Sequence, residues 1–240
     1  AYNGLQLFKA SNDGLTYQDT AFIDPPIFLQ GSNFVDIDGD LDVDIFACHD
    51  DGLSVPHEND GNGNFNANYD LIMTQTDLPS DNSGNYGSVW IDYDNDRDLD
   101  LYLSKCRLGV QNPNDPRRIN MLFQNDGNGN YTNVAADAGL VPFGQSWATD
   151  FADIDNDGDL DAFIINHDIE SKLYRNDGDG TFTDITAQSG MTADLSTIGD
   201  GIQVKFEDFD NDGFVFPWRL FASAFKRWRD CRTSRRGFEH

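Results

Sequence analysis

One nine-residue pattern of alternating acids constrains this chain more than any other feature. It is clearest at Asp153–Asp161, where aspartates occupy positions 1, 3, 5, 7 and 9 and Gly158 occupies position 6. Two carboxylates about 4 Å apart repel each other by roughly 1 kcal/mol in water and about 4 kcal/mol at an effective dielectric constant near 20. A fold that keeps such a cluster therefore predicts a cation among the acids.

Ca²⁺ is the cation that fits this spacing best. It is a hard ion that takes oxygen ligands, and known loops use acids at positions 1, 3 and 5, a backbone carbonyl at 7, an acid at 9 and glycine at 6. The predicted carboxylate ligands are Asp153, Asp155, Asp157 and Asp161, with Asp159 supplying its carbonyl. A helix-flanked EF-hand also needs a ligand at position 12, which here is Ile164 in a predicted strand. Solvated acidic turns without metal are the other interpretation.

The acidic pattern recurs at Asp92–Asp100, at Asp36–Asp44 and, incompletely, at Asp208–Gly213. The loop starts are separated by 56, 61 and 55 residues, and a fixed period of this size predicts a repeat architecture. The further predicted metal ligands are Asp36, Asp38, Asp40, Asp42, Asp44, Asp92, Asp94, Asp96, Asp98, Asp100, Asp208, Asp210 and Asp212.

Three of these loops deviate from the pattern. In the first, either Leu41 takes the glycine position of a nine-residue loop, or two residues are deleted and Asp36–Asp42 forms a shorter loop. Strand alternation cannot decide, because a two-residue shift preserves which face each side chain occupies. In the second loop, Arg97 replaces glycine. In the fourth loop, position 9 is Phe216, which cannot bind a cation.

A second motif, an Asn-Asp-Gly turn between apolar residues, appears four times. It lies within residues 12–14, 57–65, 122–131 and 173–182, and such turns supply the positive φ that tight hairpins need. Together the motifs predict four strands per period, in the third near 148–154, 160–166, 172–175 and 181–186. Four antiparallel strands in about 55–60 residues describe a β-propeller blade, so the predicted fold is all-β. An aromatic two residues before each loop is predicted to pack between sheets: Phe34, Trp90, Phe151 and Phe206.

The charge distribution divides the chain in two. The formal net charge is −26; residues 214–240 carry +5, so residues 1–213 carry −31. An acidic body argues against nucleic acid as a partner, because phosphate binding needs a basic face. The sequence contains no run of about 20 apolar residues, so it predicts no membrane-spanning helix. We interpret 1–213 as the repeat domain and 214–240 as a basic tail outside the pattern, either disordered or foreign sequence. A genuine polyanion-binding tail and an amphipathic helix are the alternatives.

The cysteines and histidines predict no catalytic centre. Cys48, Cys106 and Cys231 lack metal-site spacing and are interpreted as small buried hydrophobes, with a bridge between the first two left open. His49 and His167 follow corresponding predicted strands of two repeats, and this repetition indicates a structural role for both. His57 is expected to be solvated. The sequence has no Gly-x-Ser-x-Gly, His-Glu-x-x-His or phosphate-loop motif. We therefore expect a protein that is not an enzyme.

The two motifs together resemble the FG-GAP/VCBS repeat family. The acidic loop and a Leu-Tyr-x-Asn-Asp-Gly-x-Gly-x-Phe-like hairpin stand together at 153–161 with 173–182, and at 92–100 with 122–131. The repeats look like those of cartilage acidic protein-like and integrin α-type proteins. The resemblance implies a propeller, most often seven-bladed, with Ca²⁺ in interstrand loops and usually an extracellular location. With about three full repeats plus partial ones, the chain is expected to be part of a larger propeller whose remaining blades it lacks.

The resulting functional expectation is a calcium-binding extracellular recognition or adhesion module, secreted or at the cell surface. Its Ca²⁺ is structural and its partner is an extracellular protein or glycan ligand. The alternative is the propeller domain of a carbohydrate-active protein. That could be a polysaccharide lyase, or a lectin using exposed aromatics such as Tyr86 or Tyr93.

Overall fold

The computed structural model describes residues 5–11, 14–21, 27–78, 82–191, 203–208 and 215–217. These residues form antiparallel sheets, and their helical content is one 3-10 turn at Pro116–Arg118. The prediction of an all-β fold is confirmed. No helix in the described ranges has the length and apolar character required to cross a membrane.

Three four-stranded sheets follow one another along the chain, preceded by a two-stranded hairpin and followed by a strand pair. The hairpin is β1 (Gln6–Ala10) and β2 (Tyr17–Ala21). Blade 1 is β3 (Leu29–Val35), β4 (Asp44–His49), β5 (Val55–Asn59) and β6 (Phe65–Ala67). Blade 2 is β7 (Asn85–Ile91), β8 (Asp100–Lys105), β9 (Met121–Asn125) and β10 (Tyr131–Asn133). Blade 3 is β11 (Ser146–Ala152), β12 (Asp161–Asn166), β13 (Lys172–Asn176) and β14 (Phe182–Asp184). The final pair is β15 (Phe206–Glu207) and β16 (Phe216–Pro217).

The second strand of each blade is buried on both faces because the sheets stack. In β8, Leu101 and Leu103 lie in a cluster with Phe46 of blade 1. Tyr102, between them, lies in another cluster with Ile164 of blade 3. Alternate side chains of one strand therefore pack against the preceding and the following blade. This explains why the strand reads as a continuous apolar run rather than an alternating one.

The predicted inter-sheet aromatics form a repeated contact with the second strand of the blade before. Trp90 meets Phe46 with ring centroids 5.5 Å apart, and Phe151 meets Tyr102 at 5.6 Å, both edge to face. Phe206 meets Phe163 in the same way at 6.3 Å. Edge-to-face pairs add about 0.5–1.5 kcal/mol beyond the area they bury, so the packing prediction is confirmed for these three. Phe34 is 66% exposed, and no described sheet supplies it with such a partner.

The fourth repeat keeps the pairing register of the others in its described part. Glu207 pairs with Phe216, the counterpart of the pair between Ala152 and Asp161 in blade 3. Val215 packs against the core cluster of blade 3. Residues 218–240 lie outside the described residues, so the domain boundary at 213/214 and the interpretation of the tail stay predictions.

Candidate metal centres

The three complete acidic loops lie at equivalent places in the fold. Each joins the first strand of a blade to the second: Asp36–Asp44 follows β3, Asp92–Asp100 follows β7 and Asp153–Asp161 follows β11. Because the first strands β3, β7 and β11 lie side by side, the loops emerge at one edge of successive sheets. The fold therefore presents one acidic loop per blade at this edge.

The first aspartate of each loop shapes the turn by accepting two backbone hydrogen bonds. Asp153 accepts from the N–H groups of Asp157 at 3.1 Å and Gly158 at 3.0 Å. Asp92 accepts from Asp96 and Arg97, both at 3.0 Å. In the first loop, Asp36 accepts from Gly39 at 2.8 Å and Leu41 at 3.0 Å. The shared pattern shows that Leu41, Arg97 and Gly158 occupy the same position.

Backbone angles settle the register of the first loop. Position 6 has positive φ in all three loops, at 75° for Leu41, 82° for Arg97 and 96° for Gly158. Position 4 is also positive, at 77°, 62° and 60° for Gly39, Asn95 and Asn156. The first loop is therefore a full nine-residue loop, and the shorter alternative is wrong. Its glycine, Gly39, is at position 4, where the backbone also has positive φ. The sequence interpretation did not include this second position of positive φ.

The ninth aspartate connects each acidic loop to the Asn-Asp-Gly hairpin. Asp161 is fully buried; its Oδ2 accepts from the N–H of Ile154 at 2.9 Å, and its Oδ1 from that of Asn176 at 2.8 Å. Asp100 makes the same two contacts with the N–H groups of Tyr93 and Asn125. Asp44 makes them with those of Ile37 and Asn59. The two sequence motifs are thus halves of one structural unit.

The seventh aspartate points at a glycine of the same hairpin. A Cβ added to Gly178 would lie 2.7 Å from Asp159 Oδ2, and one added to Gly127 would lie 2.6 Å from Asp98 Oδ2. Gly61 has the same relation to Asp42, at 2.6 Å. The carboxylates at position 7 therefore lie against the hairpin turn, and a backbone-carbonyl role for Asp159 stays a prediction.

Three compact groups of carboxylates result. One oxygen from each member lies within 4.8 Å of the others in Asp36–Asp38–Asp40, in Asp92–Asp94–Asp96 and in Asp153–Asp155–Asp161. The closest groups do not include Asp42, Asp44, Asp98, Asp100, Asp157 or Asp159. In the fourth loop Asp208 is described, whereas Asp210 and Asp212 lie outside the described residues. Assignment of all eighteen aspartates as ligands stays a prediction.

Comparison with known proteins agrees with this geometry. Residues 153–215 match the family model of the FG-GAP-like repeat. The predicted resemblance is confirmed. The chain is also 32% identical over 116 residues to cartilage acidic protein 1 of Xenopus tropicalis, an alignment that covers 43% of this chain and 18% of that protein. The chain thus spans about a fifth of the length of this curated relative.

Burial within the acidic loops makes their carboxylates harder to ionise. It raises the pKa of Asp100 to about 7 and that of Asp161 to about 6, against two backbone hydrogen bonds that lower each. Burial also raises the pKa of Asp38, Asp94 and Asp155, and neighbouring aspartates raise it further. A divalent cation would supply the positive charge that favours the ionised form.

One oxygen in the second loop tests whether these loops fit a cation. Asp94 Oδ2 accepts a hydrogen bond from Gln124 Nε2 at 2.6 Å. Asp94 Oδ1 is buried without a hydrogen-bond partner, and Asp94 belongs to the group with Asp92 and Asp96. A buried carboxylate oxygen without a partner is costly, and coordination of a hard cation would compensate it. The donor set therefore fits Ca²⁺, which takes carboxylate and carbonyl oxygens.

The histidines differ from the sequence interpretation. His49 pairs with Leu29 inside blade 1, the place that Lys105 and Asn166 take in the other blades. His167 lies one residue beyond that place, so equivalence of the two histidines is wrong. His57, expected to be solvated, is fully buried in β5.

The two described cysteines are free and buried. Cys106 Sγ lies 3.1 Å from His167 Nε2 and accepts from Trp147 Nε1 at 3.1 Å. Burial raises the pKa of the Cys106 thiol to about 11, so at neutral pH it is not a thiolate nucleophile. The interpretation as small buried residues is confirmed for Cys48 and Cys106, and Cys231 lies outside the described residues.

Proposed function

We propose that this chain is a calcium-stabilised extracellular recognition module. The observation that carries the proposal is the repetition of one loop geometry three times along a single edge, each loop holding three carboxylates within 4.8 Å of one another. Three such concentrations of negative charge oppose folding unless a cation is bound among them. Ca²⁺ suits the oxygen-only donors and the loop spacing.

Bound Ca²⁺ would act structurally, because the loops connect parts of the fold. The ninth aspartate joins each loop to its own third strand, as Asp161 does at Asn176. Contacts also run between blades: Asn95 Nδ2 donates to Asp159 Oδ1 at 2.7 Å, and Asn176 Nδ2 donates to the Tyr93 carbonyl at 2.8 Å. An ion that orders one loop would therefore also support the next blade.

An extracellular setting is part of the same proposal. Extracellular calcium modules typically have dissociation constants of about 10⁻⁴–10⁻³ M, a range in which the ion must be plentiful. The FG-GAP-like repeat at 153–215 supports a recognition or adhesion role rather than catalysis. A protein or a glycan is the proposed kind of partner.

The lyase alternative gains no support from the histidines. His49 Nδ1 accepts a hydrogen bond from the Asp51 amide at 3.0 Å, which is a loop-stabilising contact. His167 stacks on Trp147 with ring centroids 4.8 Å apart. These contacts support structural roles for both residues.

Thermal unfolding with and without calcium tests the proposal. At free Ca²⁺ 100 times the dissociation constant, each occupied site adds about 2.7 kcal/mol to the free energy of unfolding. We expect a marked rise in Tm in millimolar Ca²⁺, reversed by EDTA, and heat of binding by calorimetry. Asp94→Asn should weaken this response, whereas Asp137→Asn, an exposed residue outside the loops, should not. A Tm that is the same with and without Ca²⁺, together with no heat of Ca²⁺ binding, would contradict the proposal.

A further inference from the structure

Each first strand carries one irregular residue close to its start. The pairing register shifts between Leu29 and Gly31 in β3, between Asn85 and Gly87 in β7, and between Ser146 and Ala148 in β11. The extra residues are Gln30, Tyr86 and Trp147, at equivalent places in three blades. A β-bulge turns a side chain away from the regular alternation and is common beside binding sites.

The three bulge residues line one cleft. Its volume is about 360 Å³, and its walls also include Gly31, Ser32, Asn33, Gly87 and Ser88. Ligand pockets range from about 300 to 1,000 Å³, so this cleft has room for a small ligand or the end of a larger one. The bulges lie near the first residues of the strands and the acidic loops follow the last residues. The cleft is therefore separate from the candidate metal centres.

Two glycines let the first strands come close enough to form the cleft. A Cβ added to Gly87 would lie 2.8 Å from the carbonyl oxygen of Trp147, and one added to Gly31 would lie 3.1 Å from that of Tyr86. Real Cβ atoms essentially never approach as closely as 2.8 Å. Because Gly31 and Gly87 have no side chain, the bulges of successive first strands can lie beside one another.

The lining combines an aromatic surface with amides and hydroxyls. The rings of Tyr86 and Trp147 are nearly parallel, at 14°, with centroids 6.0 Å apart. Gln30 Nε2 donates to Asp50 Oδ2 at 3.1 Å, and the hydroxyl of Ser88 donates to Asn33 Oδ1. Gln30 also hydrogen-bonds the Tyr86 side chain, and an Asn side chain held by its oxygen keeps two N–H donors. The cleft therefore offers oriented polar groups beside flat apolar area.

We propose that this cleft binds a neutral saccharide, with Tyr86 facing a sugar ring and Gln30 and Asn33 meeting its hydroxyls. Trp147, which stacks with both Tyr86 and His167, holds the Tyr86 ring in place. A sugar ring has an apolar C–H face and a polar rim, which match these two kinds of surface. This assigns a ligand site that the calcium proposal does not contain, and it does not depend on calcium being bound.

Charge favours a neutral ligand over the alternatives. Acidic glycans and nucleic acids are disfavoured by a chain of net charge −26, since polyanion binding requires a basic face. A cation could stack on the aromatic rings, but Asp50, the carboxylate beside the cleft, is already paired with Arg107 at 3.2 Å. The remaining polar groups of the lining are uncharged.

Saturation-transfer NMR with neutral hexoses, N-acetylhexosamines and their disaccharides tests the site, with choline and a proline-rich peptide as other probes. We expect transfer to the ring protons of at least one sugar. Gln30→Ala and Asn33→Ala should each weaken its binding about fivefold to tenfold, the effect of losing one hydrogen bond. Trp147→Ala should abolish it. Tyr17→Ala, which removes a 65% exposed tyrosine from β2, should leave it unchanged.

The measurements run in Ca²⁺ and again in EDTA, with each variant checked for a native melting transition. Gln30→Ala and Asn33→Ala keep the test valid if Trp147→Ala fails to fold. Three outcomes would each overturn the assignment. They are the absence of sugar binding, binding of choline or peptide in place of sugar, and sugar binding that the cleft variants leave unchanged. Sugar binding in a protein whose Tm ignores Ca²⁺ would reject only the calcium proposal.

Discussion

Asp161 Oδ1 accepts a hydrogen bond from the backbone N–H of Asn176 at 2.8 Å, and both residues are buried. Asn176 Oδ1 in turn accepts from the N–H of Gly178 at 3.1 Å. One carboxylate therefore fixes the acidic loop, and its partner fixes the hairpin turn. The same pair is Asp100 with Asn125 in blade 2 and Asp44 with Asn59 in blade 1.

Replacing the ninth aspartate should destabilise the fold even without metal. Asp161→Ala leaves the N–H groups of Ile154 and Asn176 without their acceptor, and a buried unsatisfied group costs about 1–3 kcal/mol. We expect the free energy of unfolding to fall by about 2–4 kcal/mol, measured by urea denaturation in EDTA so that calcium does not contribute.

Asp155→Ala is the matched control in the same loop. Asp155 is exposed, and desolvation followed by neighbouring acids raises its pKa, so its removal in EDTA should be neutral or slightly stabilising. In Ca²⁺ the same change should become destabilising because a candidate ligand is lost. Equal losses for the two variants in EDTA would contradict a special role for Asp161.

Local features of the sequence were sufficient to predict the blades. The Asn-Asp-Gly turns and the aromatics before each loop depend on neighbouring residues in one hairpin or strand, and the repetition of the acidic loop every 55–61 residues marks the blades. Trp90 and Phe151 pack between sheets as expected because the repeat places one aromatic per blade at the same height. Two-sided burial of β12 followed from its continuous apolar run.

Features that depend on pairing between strands were not predictable. Two His-Asp dipeptides looked equivalent, yet the strand pairing places His167 one residue beyond the counterpart of His49. The link between the acidic loop and the hairpin was also missed, although an Asn precedes the first Asp-Gly of each blade's hairpin. Its distance from the ninth aspartate is 15 residues at Asn59 and Asn176 but 25 at Asn125, so no constant spacing marks the pair.

Two glycines of one turn should respond differently to alanine. Gly178 and Gly180 have φ of 73° and 83°, so alanine is strained at both, by about 1–2 kcal/mol. A Cβ at Gly178 would also meet Asp159 Oδ2 at 2.7 Å, whereas one at Gly180 meets nothing within 4 Å. We expect Gly178→Ala to lose about 1 kcal/mol more than Gly180→Ala in urea unfolding. Equal losses would show that Asp159 moves aside freely.

Glycine at position 6 should stabilise the two loops that lack it. Leu41 and Arg97 adopt φ of 75° and 82°, and relief of that strain exceeds the entropic cost of glycine, about 0.5–1 kcal/mol. Leu41→Gly and Arg97→Gly should therefore gain about 0.5 kcal/mol by chemical denaturation. Leu108→Gly is the control, since Leu108 is equally exposed but has no positive φ, and it should lose about that amount. A loss in all three would reject backbone strain as the reason.

Adjacent arginines provide the sharpest test of how blades 2 and 3 are joined. Arg118 is 3% exposed and donates to the carbonyls of Val110 and Phe143 and to Asp168 Oδ2, the last at 2.6 Å. Breaking a buried pair leaves its partners uncompensated, at about 3–5 kcal/mol. Because Asp168 is partly exposed, we expect about 2–4 kcal/mol for Arg118→Ala.

Arg117→Ala should cost no more than about 1 kcal/mol, because its pair with Asp115 is more exposed and lies within one turn. Urea denaturation of the two variants at low and high salt checks both values. Salt should reduce the effect of Arg117→Ala and leave that of Arg118→Ala nearly unchanged, since buried pairs are poorly screened. If both variants lose little, Arg118 does not join the blades, and their apolar interface, including the contact between Phe151 and Tyr102, is sufficient to join them.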